Sequence, residues 1–147
     1  MTAVSGVLSD IYRNTNGISA VKISFMERSE FEALVATALD SLPDFIQEKM
    51  TNIEVLIEPQ PSRQALARAG MPRGHTLLGL YSGIPLTART HNYAMVPPDT
   101  ITLYQYPIER SAGAQEKIPE VIRHTVMHEV AHHFGISDDR LRELGAY

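Results

Sequence analysis

Apolar residues at Phe31, Leu34, Val35, Ala38, Leu39 and Leu42 recur at helical spacing. One face of a helix there is set to pack on a core. Ser29 and Glu32 stand in the right places for a capping box at its start. Pro43 breaks or restarts the helix before a continuation through Met50. The run Ile53-Glu54-Val55-Leu56-Ile57-Glu58 alternates with period two, the pattern of a strand with one buried face. Ser62 to Ala69 reads as a short helix ended by Gly70. Leu77–Tyr81 and Ile101–Tyr106 read as two further strands, separated by a loop rich in Gly, Pro and polar residues. Pro119 suits the first turn of a last long helix, and Gly135 its end.

That last helix divides into two arcs. Val126, Met127, Val130, Ala131 and Phe134 occupy one, and His128, Glu129 and His132 most of the other. The apolar arc fixes the helix on the core, so the polar arc is held still beside a cleft. His128-Glu129-Val130-Ala131-His132 is an H-E-x-x-H motif, the signature of a zinc hydrolase helix. Residues four apart lie one turn apart on one face, so His128 and His132 can share an ion. Glu129 is about 100° round the helix from His128, placed to hold a water rather than the ion. An ion held by three protein groups keeps a fourth position for water. The expected chemistry is a zinc-activated water with Glu129 as general base.

Gly135 and Asp138 extend the motif to H-E-x-x-H-x-x-G-x-x-D. Gly135 can take positive φ, end the helix and turn the chain back, which lets Asp138 reach the ion as third ligand. Asp138 also suits the first turn of a short helix Asp138–Leu144 capped by Ser137, and Asp139 and Glu143 are alternative carboxylates. His124 lies on the same stripe as His128 and His132, but His124 and His132 are about 12 Å apart along the axis. Zinc–nitrogen bonds of about 2.0–2.1 Å allow only one adjacent pair, and Glu129 and Gly135 favour His128 with His132. His133 is rotated about 140° from His128 and belongs to another environment, exposed or hydrogen-bonded.

Composition narrows the partners. The chain has 147 residues, 44% hydrophobic and 20% charged, which suits one domain. It holds no Cys, so disulfides and thiolate metal sites are excluded. Apolar runs of membrane-spanning length and a signal pattern are absent, so a cytoplasmic location is expected. The net charge of −4 offers no electrostatic case for nucleic acid or an anionic membrane. Residues 1–25 mix Ser, Asn, Gly and Thr with isolated apolar residues and read as an N-terminal extension to a domain over 26–147.

With these residues in place, the chain resembles a zincin, specifically the small bacterial zincin-like metallopeptidases that are single minimal domains. The resemblance is carried by Ser41-Leu42-Pro43, Leu78-Gly79-Leu80-Tyr81-x-Gly83-x-Pro85-Leu86, the Ile101–Tyr106 strand and Val121 through Glu129. It implies an α+β fold, a zincin-like minimal domain with a short mixed sheet packed against the first helix and the H-E-x-x-H helix. It implies His128, His132 and Asp138 as Zn2+ ligands, Glu129 as base, and a peptide or protein substrate. In zincins the edge strand lies over the cleft and pairs with an extended substrate. Thr100–Tyr106 is the candidate strand here, with Pro107 at its end and Tyr104 or Tyr106 as an oxyanion donor. No Met follows Asp138, unlike the Met-containing turn of metzincins. A non-catalytic zinc-binding domain is the alternative reading. A metal-dependent endoribonuclease with H-x-x-x-H-x-x-G-x-x-H is a further one, disfavoured by Asp138, Glu129 and the acidic balance.

Overall fold

A computed structural model describes residues 24–83 and 98–145. The expected extension over residues 1–25 lies outside these residues except at its last two positions, as do Pro85 and Leu86. The helix α1 (Arg28–Asp40) begins earlier than the Ser29 cap predicts. Glu27 closes its start, its N–H donating to Glu30 Oε2 at 3.3 Å. Glu32 is drawn instead to Arg28 Nε at 2.8 Å, which leaves no capping box on Ser29. Pro43 restarts the chain as α2 (Asp44–Lys49). Phe31, Val35, Ala38 and Leu42 are buried as their spacing predicts, Leu34 and Leu39 are partly buried against the same core, and α2 adds the buried Ile46.

Strand β1 (Ile53–Glu58) alternates half-buried and exposed positions. Helix α3 (Arg63–Arg68) is capped by Ser62 Oγ, which accepts from Ala65 N at 3.0 Å. Strand β2 (Gly79–Ser82) and strand β3 (Asp99–Tyr104) follow. The sheet order is β1-β3-β2, with β1 parallel and β2 antiparallel to β3. This is the short mixed sheet of an α+β fold.

The sheet corrects two expectations. Strand β3 is central, not an edge: it is paired on both sides, and its Ile101 and Leu103 are fully buried. Its end is also earlier than predicted. Gln105–Ala112 form helix α4, which carries Tyr106 and Pro107. Proline is tolerated as third helical residue because the first N–H groups of a helix have no internal partner. Tyr106 N finds one outside, at Pro59 O, 3.0 Å away.

A turn of 3-10 helix (Gln115–Lys117) leads into α5 (Ile118–His133), with Pro119 in its first turn. Helix α5 is the centre of the molecule, packed by α1, α2, α4 and β2. Val126, Val130 and Ala131 are fully buried and Met127 nearly so, as the apolar arc predicts, and Ile122 is buried with them. Phe134 is partly buried against the same core, with Lys49 Nζ 4.6 Å above its ring. A last helix, α6 (Asp138–Glu143), packs on α5 through the buried Leu141. Among the described residues, no helix is long and apolar enough to cross a membrane.

Close approach of β2 to α5 depends on Gly79. A Cβ there would stand 2.8 Å from Thr125 Cγ2, inside ordinary contact distance. Gly79→Ala is therefore expected to lower stability by about 1–3 kcal/mol through overpacking. Adding Thr125→Ser removes the obstructing methyl and keeps the hydroxyl that donates to Val121 O at 2.7 Å. Thermal unfolding of the double variant should recover most of the loss; a double variant as unstable as the single one contradicts this packing account.

Candidate metal centre

The end of α5 is built by a local rule. Gly135 has φ 71°, the left-handed conformation that glycine adopts without strain. Gly135 N donates to His132 O at 3.2 Å and Ile136 N to Ala131 O at 2.8 Å. These two bonds form a Schellman reversal, and half-buried Ile136 seals it against the core. The chain then turns back into α6, whose N-cap is Ser137, its Oγ accepting from Arg140 N at 3.2 Å. Asp138 is the first residue of that helix. Its first-turn position and its aim at the histidines, alternatives in the sequence, are satisfied together.

The reversal carries Asp138 over the histidine stripe. Asp138 Oδ1 lies 3.4 Å from His128 Nδ1 and 3.8 Å from His132 Nε2. The two imidazole centroids are 4.0 Å apart. One donor atom from each of the three residues falls within a 4.8 Å set. Tetrahedral coordination at about 2.0–2.1 Å separates donors by roughly 3.3–3.4 Å, so small movements suffice to close on one ion. Asp138 Oδ1 is buried without a hydrogen-bond partner although the rest of its side chain is half exposed. A buried carboxylate oxygen without a donor is costly, and a cation is what would relieve it. Two imidazoles and a carboxylate also match the donor chemistry of zinc. The residues present fit the ion.

The alternative carboxylates are spent elsewhere. Asp139 Oδ1 pairs with Arg142 Nη1 and Glu143 Oε2 with Arg140 Nη1, both at 2.8 Å on the exposed side of α6. His124 is exposed and is not in the donor group.

Glu129 faces β2 instead of the donor atoms. Its Oε2 accepts from Tyr81 N at 3.3 Å. Tyr104 N donates to Leu78 O, so alternation along the antiparallel ladder turns the Tyr81 N–H away from β3 toward the helix. Burial raises the Glu129 pKa, opposed by the Tyr81 N–H and by the nearby His128 and His132. Tyr104 is buried, and desolvation, with Glu58 and Glu129 adding to it, holds its hydroxyl neutral to still higher pH. Tyr106 is elsewhere, its ring stacked on Phe25 at 4.0 Å.

Sequence reasoning missed the other side of Glu129. Thr125, Glu129 and His133 form one stripe of α5 at i, i+4 and i+8, and β2 runs along it. His133 is largely buried, its ring stacked on Tyr81 at 3.9 Å and 16°. The geometry keeps it apart from His128, as its rotation round the helix implies. Its partners come from residues tens of positions upstream, so no local pattern could have signalled them.

Residues 50–146 match the family model of zincin-like metallopeptidases. The chain belongs to that family, whose chemistry is zinc-dependent hydrolysis. No curated protein matches the chain. Among solved structures it is similar to a conserved hypothetical protein from Thermus thermophilus, at 21% identity and a TM-score of 0.49, over 74% of this chain and 94% of that one.

Proposed function

We propose that this chain is a zinc-dependent peptidase in which His128, His132 and Asp138 hold the ion and Glu129 is the general base. The observation that supports this most is the buried, partnerless Asp138 Oδ1 facing two imidazoles one helical turn apart. Bound zinc lowers the pKa of a coordinated water to about 7 and polarises a carbonyl oxygen. Glu129 takes the proton of the attacking water on Oε1, its Oε2 being held by the Tyr81 N–H, and hands it to the leaving amine. Among the described residues three donors converge rather than four, which favours a catalytic over a closed structural site. A peptide or protein substrate is proposed. A nucleic-acid substrate is disfavoured by the acidic balance.

The test is to measure metal content and to incubate the protein with an unstructured polypeptide and, separately, with RNA. About one zinc per chain and chelator-sensitive cleavage of the polypeptide alone are expected. Cleavage of RNA alone, or a protein that takes up no zinc, overturns the reading.

A further inference from the structure

Behind Glu129 a buried carboxylate joins three elements that the proposed chemistry does not use. Asp99, the first residue of β3, is 7% exposed. Its Oδ2 accepts a hydrogen bond from Tyr81 Oη at 2.7 Å and lies 3.6 Å from His133 Nε2. The Tyr81 ring is covered on one face by His133 of α5. The same carboxylate occupies the space where Gly83 would carry a side chain. A Cβ there would stand 2.5 Å from Asp99 Cγ and 2.6 and 2.8 Å from its oxygens. Bare backbone at Gly83 is what lets Asp99 reach the Tyr81 hydroxyl.

Tyr81 is thus held at its hydroxyl and over its ring, while its backbone N–H holds Glu129 Oε2. A buried carboxylate is tolerated only when it is well bonded, and an apolar residue at position 99 would avoid that demand. The polar arrangement therefore gives orientation more than stability. Tyr81 belongs to an edge strand only four residues long, and such strands are held weakly by their ladder alone.

We propose that Asp99 and Tyr81 form a clasp that positions Glu129, with Gly83 making room for it. The hydroxyl anchor fixes the Tyr81 backbone, and the fixed N–H sets the direction of the Glu129 carboxylate. Asp99 and Tyr81 are positioning residues in this scheme: they act through Glu129. The proposal rests on Glu129 being the general base, but its first test does not need turnover.

That test is amide hydrogen exchange at residue 81 in the purified full-length protein. Tyr81→Phe keeps the stacked ring and removes only the anchor. It should raise exchange at that amide roughly fivefold, the usual worth of one hydrogen bond. Gly83→Ala, which displaces the carboxylate without deleting a polar group, should do the same. Asp99→Asn keeps an acceptor for the hydroxyl and should stay near wild type, whereas Asp99→Ala should not. Amides of Ile122 and Val126, deep in α5, report any global loosening and should not change. In turnover of the unstructured polypeptide, Tyr81→Phe and Asp99→Ala should lower kcat several-fold with zinc content kept, and Asp99→Asn should restore it. Wild-type exchange at residue 81 in both Tyr81→Phe and Gly83→Ala overturns the clasp. So does a loss of kcat that Asp99→Asn fails to restore, or one accompanied by loss of zinc. A wild-type protein that cleaves nothing sinks the peptidase reading alone, because the exchange result still decides whether the clasp exists.

Discussion

His128→Ala and His132→Ala should each strip the protein of zinc. Each removes one of the three proposed donors that converge among the described residues, and the two that remain hold an ion far more weakly. Affinity should fall by more than about a hundredfold, since groups that merely support ligands already contribute about 10–100-fold. Competition with a chromophoric chelator measures the loss, and elemental analysis after dialysis confirms it. The fold should survive. His132 is exposed and His128 only half-buried, while Val126 and Val130 on the opposite arc carry the packing of α5. In metal-free buffer the variants and the wild type should therefore unfold at about the same temperature. With zinc added only the wild type should gain stability, because a ligand stabilises the state that binds it. Zinc retained by the doubly substituted protein would refute the assignment.

Glu129→Ala should leave the metal in place and lower kcat by about 10²–10⁴-fold, the usual contribution of a positioned general base. The residue is one turn-step away from the ligand stripe and bonds to β2 rather than joining the donor group. Glu129→Gln is the sharper variant. Its amide oxygen can still accept from the Tyr81 N–H, but it cannot take a proton. It should be about as inactive as Glu129→Ala while the Tyr81 amide stays protected from exchange. Measured turnover near wild type in either variant would remove Glu129 from the role of base.

What could be read in the sequence follows from the range of the interactions. The His128–Asp138 segment was legible because everything in it is local: helical periodicity, a glycine at positive φ and a serine cap act within a few residues of one another. The apolar arc of α5 and the strand β1 were legible for the same reason. Strand pairing was not. The resemblance to zincins implies Thr100–Tyr106 as an edge strand, with Pro107 suiting its end. Burial of Ile101 and Leu103 between two neighbours made it the centre, and α4 took over at Gln105. The capping box at Ser29 failed because Arg28 competes for Glu32. Asp99, Tyr81 and His133 meet only after the sheet has formed on the helix, and no spacing rule connects them.

The separation between those two ranges has a consequence under partial denaturation. Among the described residues the three proposed donors come from eleven consecutive positions, His128 to Asp138, whereas the restraint on Glu129 comes from Tyr81, 48 positions away. Short edge strands open in sub-global fluctuations well below the free energy of complete unfolding, and a compact helix–turn–helix segment outlasts them. A conformer with β2 peeled from α5 would therefore keep the proposed donor group together while Glu129 swings free. On the proposed function, metal binding and catalytic competence are uncoupled in this architecture, and activity is expected to fail first at the strand, not at the metal group.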